Sequence, residues 1–169
     1  MPALLSVRHA LIALTSSLAL NAWAVEVVFQ PVAPNVYAYI GDTEGRTYDN
    51  EALNANLGLV VTPAGALLID SGASLQGAQK IAEAAKKVTS QPIRWVINTG
   101  GQDHRWMGNG FFKNQGTEIL AHANAQADMK ARGPEHLRSN APVLKERLAG
   151  TEVVMPTRWL TEADTTLQR

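Results

Sequence analysis

The residues with types and spacing suited to chemistry sit in two places. One is Asp70, which closes the apolar run Leu67-Leu68-Ile69 and precedes Ser71-Gly72. A carboxylate at the end of an apolar strand lies at a sheet rim, where open sheets gather ligands; the competing reading is a cap that satisfies loop amides. The other is Val96-Ile97-Asn98-Thr99-Gly100-Gly101-Gln102-Asp103-His104-Arg105-Trp106-Met107-Gly108-Asn109, where a strand enters glycines and then an adjacent Asp–His pair. Glycines let the backbone turn tightly and approach a bound group. A carboxylate beside an imidazole supplies two of the ligand types that zinc or iron accepts without thiolate, although a lone Asp–His dipeptide is more often a surface pair. The chain has no Cys, so thiolate metal sites, disulfide frameworks and thiol nucleophiles are excluded, and metal chemistry must use His, Asp or Glu.

Other candidates are weaker. Ser71 and Ser74 have glycines nearby but no G-x-S-x-G frame, and Gly41 and Gly45 lack the Lys-Ser/Thr of a phosphate loop. Trp95 reads as core, and Trp106 as core or a cleft wall. Arg46, Asp49 and Asn50 lie in a polar loop, solvated by default.

The elements that must position these residues follow from periodicity. Val36–Ile40 reads as a strand and Arg46–Asn56 as a loop. Leu57–Val61 and Ala66–Ile69 are apolar runs joined through Thr62-Pro63-Ala64-Gly65, a hairpin connection. From Leu75 the period changes: Leu75, Ala78, Ile81, Ala82, Ala85 and Val88 share a helical face, with Ser74 as N-cap and a Glu83–Lys87 pair opposite. The strand Ile93–Ile97 follows Pro92, then a loop over Asn98–Asn109, a helix over Phe111–Gln115 and a strand over Thr117–Ala121. Helices are predicted over Ala123–Arg132, stopping at Gly133-Pro134, and over Pro142–Leu148; Glu152–Met155 is the last predicted strand and Pro156–Arg169 a tail. The alternation places helices against a sheet, an α/β or layered α+β fold.

Composition bounds the rest. At 169 residues and 46% hydrophobic, the chain suits one domain with a real core. Fifteen basic residues balance fifteen acidic ones without a basic run, so the electrostatic footprint of nucleic-acid binding is missing. Met1–Ala24 has the three parts of a secretory leader: Arg8 and His9, the apolar stretch Ala10–Leu20, and Ala22-Trp23-Ala24. The expectation is an exported chain, periplasmic or secreted, with a domain over 25–169 and no membrane span after cleavage.

The ordered set of motifs resembles the metallo-β-lactamase superfamily. Asn56–Val61 through Ala66–Gly72 is similar to that family's opening hairpin and strand-end Asp; Arg94–Thr99 follows at the family's spacing, and Asp103-His104 with Gly108-Asn109 matches the end of its H-x-H-x-D-H signature. The resemblance covers about Val36 to Thr157 and implies the N-terminal half of an αββα sandwich. It implies that Asp103 and His104 ligate one metal, zinc or else iron, that Asp103 also handles the proton, and that Asp70 supports the ligands. The signature is degenerate: counted back from Asp103, the two earlier histidines should stand at positions 99 and 101, which hold Thr99 and Gly101. After His104 only His122 and His136 remain, neither in the glycine-rich context of the family's later ligands.

Two functions stay open. One is an exported hydrolase-like protein, using metal-activated water on an unidentified small molecule and inactive as this chain alone. The other is a non-catalytic binding or assembly protein that kept the fold and lost its metals. An open apolar sheet face would favour self-association.

Overall fold

The computed structural model describes residues 25–163. The expected leader Met1–Ala24 lies outside the described residues. Seven strands form one sheet in chain order: β1 (Gln30–Ala33), β2 (Val36–Tyr39), β3 (Leu57–Thr62), β4 (Gly65–Ile69), β5 (Ile93–Asn98), β6 (Glu118–His122) and β7 (Arg158–Leu160). The first four are antiparallel neighbours, and β4 to β7 run parallel. The helices are α1 (Leu75–Val88), α2 (Asp103–Trp106), α3 (Asn109–Asn114) and α4 (Gln126–Leu144).

Strand alternation builds the core. Leu59, Leu68, Val96 and Ile119 are successive register partners across four strands, and all are fully buried. They pack against Ala78, Ile81, Ala82 and Ala85 of α1 and Phe112 of α3. At about 1.5–3 kcal/mol for each large side chain, this stripe is the main force holding the helical layer to the sheet. Helix α1 starts where the sequence places it, with the Ser74 hydroxyl accepting from the Gly77 N–H at 3.0 Å. On the opposite sheet face Val60, Leu67 and Trp95 form a second register stripe, half-buried, beside Ile69 and Ile97.

Several elements differ from the sequence reading. The 98–109 stretch is not all loop: it carries α2, whose first turn opens with Asp103, an acidic residue favoured by the helix dipole. The two helices expected on either side of Gly133-Pro134 are one helix, α4, which runs through Pro134 and Pro142. Its buried residues Met129, Gly133, His136, Asn140 and Leu144 lie on one face, and packing of that face outweighs the missing proline N–H groups. The strand expected over Glu152–Met155 is irregular; Val153 and Met155 instead pack against the Trp106–Met129 cluster. The final strand comes later, as β7, after Thr157 bonds both backbone groups of Ile119. A short strand, β1, precedes the first expected one, and Glu83 pairs with Lys86 rather than Lys87, which reaches Glu26.

Candidate functional site

The site is built where β4 and β5 end. Asp70 follows β4 in a left-handed conformation (φ 65°), and its carboxylate accepts from the Thr99 N–H at 2.7 Å and the Thr99 hydroxyl at 2.8 Å, with Arg105 at 3.9 Å. It therefore ties the loop after β4 to the loop after β5. Burial pushes the Asp70 carboxyl above its usual range, and the Thr99 bonds and the Arg105 charge offset this only in part. Beneath it, fully buried Asn109 bonds the Ser71 hydroxyl (2.9 Å), Asn98 (2.9 Å) and the Val154 carbonyl (3.1 Å). Gly108 lies so close to the Ser71 carbonyl that a Cβ there would stand 2.0 Å from its oxygen. The glycine–asparagine pair thus locks three segments together.

Asp103 and His104 are neighbours in space as in sequence, with His104 Nδ1 3.4 Å from Asp103 Oδ1. The Asp103 carboxylate is buried, and both its oxygens accept hydrogen bonds. Oδ1 accepts the His104 backbone N–H at 3.0 Å; Oδ2 accepts the Asn140 side-chain amide at 3.0 Å and the Arg46 guanidinium. Arg46 also donates to Asn140 Oδ1 at 3.0 Å, closing a three-residue ring of hydrogen bonds. Burial by itself would raise the Asp103 carboxyl; the bonds from His104 and Asn140 and the Arg46 charge overcome it and hold the group well below the usual carboxylate range.

Among the described residues, the other two histidines form no ligand group with this pair. His122 is exposed at the end of β6, where its ring accepts from the Asn124 N–H at 3.2 Å. His136 is buried edge-on to Trp106, with Nε2 2.9 Å from the Gly101 carbonyl. That carbonyl also accepts from Trp106 Nε1 (3.0 Å) and Arg132 (3.3 Å). An open cleft of about 630 Å³ is lined by Arg46, Asp103, His104, Arg132, Glu135 and His136, among others.

Solved structures supply the decisive comparison. A metallo-β-lactamase, FIM-1 from Pseudomonas aeruginosa in a mono-zinc form, superposes with a TM-score of 0.54 at 21% identity, over 66% of this chain and 48% of that one. The metallo-β-lactamase from Hirschia baltica gives 0.55 at 20% identity, over 64% and 49%. The fold is part of a metallo-β-lactamase fold. The chain spans about half the length of those structures. No family model and no curated protein matches the sequence.

Within this metallo-β-lactamase fold the metal's donor set is not assembled from the described residues. No group of three or more His, Asp or Glu side chains is placed to hold an ion among them. Thr99 is committed to Asp70, Gly101 carries no side chain, and both oxygens of Asp103 already accept N–H donors. A Cβ at position 101 would lie 2.2 Å from Asp128 Oδ2, so a histidine there requires Asp128 to leave its ion pair with Arg132. Asp103 and His104 alone fall short of the three protein ligands usual for catalytic zinc, and the described residues do not fit the group.

Asn140 is the partner that sequence reasoning missed; Arg46 stands out in the sequence only as part of a polar loop that the family resemblance lets overhang the site and that is solvated by default. Arg46 lies 57 residues before Asp103 in a loop expected to be solvated. Asn140 carried a signal: Met129, Gly133, His136, Asn140 and Leu144 recur at helical spacing, which marks one buried face despite the prolines.

Proposed function

We propose that this chain is an exported, non-hydrolytic protein that keeps a metallo-hydrolase-like fold and serves as a binding or assembly module. The observation that carries the proposal is that, among the described residues, no three His, Asp or Glu side chains are placed to share an ion, and the Asp103 carboxylate is instead paired with Arg46 and Asn140. Export rests on the three-part leader at Met1–Ala24. Assembly rests on the half-buried stripe of Val60, Leu67 and Trp95, which a second copy of the chain would cover.

The test is elemental analysis of the purified chain beside its His104→Ala variant, with hydrolysis of ester, thioester and β-lactam substrates measured after zinc loading. Expected are substoichiometric zinc in both proteins and no hydrolysis. About one zinc per chain that His104→Ala removes, together with turnover, would overturn the proposal. A second reading, a hydrolase whose centre is completed by residues outside this chain, is supported by its spanning only about half of the matched structures. Fractionation of expressing cells, with N-terminal mapping of the mature protein, tests export and cleavage after Ala24.

A further inference from the structure

We infer that the corner formed by Asp103 and Asn140 is a seat for an organic cation of the guanidinium class, filled in this chain by its own Arg46. The inference rests on the non-hydrolytic reading above and names the ligand chemistry that the Asp103–Asn140 corner fits. One Nη1 of Arg46 serves both Asp103 Oδ2 and Asn140 Oδ1, while Asn140 Nδ2 donates to the same Asp103 oxygen. One carboxylate charge and one amide carbonyl match a monocation with several N–H donors. The amide N–H aimed at Oδ2 fixes the orientation of that carboxylate toward the Arg46 position.

The seat is also built rather than incidental. Asn140 is fully buried and the Asp103 side chain is only 8% exposed, so a cation between them is poorly screened. The Arg46 side chain is 36% exposed and opens onto the cleft, so a ligand from solvent can reach its position. The loop delivering Arg46 is anchored independently of that side chain. Asn50 Nδ2 donates to the Gly45 carbonyl at 2.9 Å, the Thr47 N–H donates to Asn50 Oδ1 at 3.0 Å, and buried Glu51 is clamped by Lys80 and Arg147. Removing the side chain alone therefore leaves the seat formed and empty.

Chemical rescue of the full chain tests this. Arg46→Ala is expected to unfold several degrees below the parent. Millimolar ethylguanidinium should raise its unfolding temperature saturably, beyond a salt control and beyond ethylammonium, while leaving the parent unmoved. Adding Asp103→Asn to Arg46→Ala should abolish the rise. If Arg46→Ala does not fold unaided, its refolding yield becomes the readout, and ethylguanidinium should increase it. Absence of rescue by either readout overturns the inference, as does a saturable, Asp103-dependent rise with zinc chloride in either protein. Hydrolysis by the zinc-loaded chain would instead sink the functional proposal, so the two failures are distinguishable.

Discussion

Replacing Asp103 by Ala separates a metal ligand in waiting from a structural ion pair by the sign of its effect. A ligand kept for function is commonly neutral or costly to stability, so its removal from a metal-free protein leaves stability unchanged or raised. Here Asp103 holds three donors. Its loss strips a fully buried amide, Asn140 Nδ2, of its acceptor; removes the acidic group from the first turn of α2, where it also accepts the His104 N–H; and leaves the Arg46 guanidinium without a counter-charge. Discounting the Arg46 contribution for its partial exposure, the expected destabilisation is about 2–4 kcal/mol. Urea unfolding in the presence of chelator measures it as a lower midpoint at unchanged slope. The pH dependence gives a second sign. The Asp103 carboxyl lies below its unfolded value, so its contribution is fully present above the usual carboxylate range and is lost as pH falls through its folded pKa. Asp103→Asn should therefore flatten the acid limb of the stability profile. An Asp103→Ala protein as stable as the parent in chelator, or more so, would refute the ion-pair account.

Three further outcomes follow from the packing. Gly108→Ala should abolish folding or cost well over about 3 kcal/mol, because its Cβ would stand 2.0 Å from the Ser71 carbonyl oxygen, a backbone atom; circular dichroism and thermal melting check it. Pro134→Ala should raise stability by about 1–3 kcal/mol, since Pro134 is exposed inside a continuous helix and Ala restores its N–H; the assay is the same urea titration. Ser74→Ala should cost about 1 kcal/mol by leaving the Gly77 N–H without its cap, and Ser74→Asn should recover most of it.

How much was legible depends on whether the signal was local. The β3–β4 hairpin, α1 with its Ser74 cap, and the parallel strands β5 and β6 announce themselves through alternation, helical period and turn residues within a few positions. Helix α4 was obscured because Gly133-Pro134 is a strong local stop. The overriding information is tertiary: a Cβ on Gly133 would meet Val153 Cγ1 at 2.6 Å, so the glycine serves close packing against the segment before β7. That packing also explains the misread strand, since Val153 and Met155 look like strand residues and spend their apolar surface on α4 and Trp106. Arg158–Leu160 is too short to show a period, and its placement depends on Thr157 bonding Ile119 across the chain.

The site divides along the same line. That Thr99 and Gly101 stand at the two positions where the resemblance implies histidines is visible in the sequence. What neutralises the Asp103 carboxylate is not visible in the sequence, because Arg46 and Asn140 come from segments with no spacing relation to Asp103. Burying Asp103 without a cation would carry a desolvation cost of several kcal/mol. Once the fold places Asp103 at the buried first turn of α2, some positive group must therefore meet it. Without such a group an uncompensated charge would lie beneath the cleft. The Arg46–Asp103–Asn140 ring supplies that group, and in the neighbouring loop the Gly101 carbonyl is held by Trp106, His136 and Arg132.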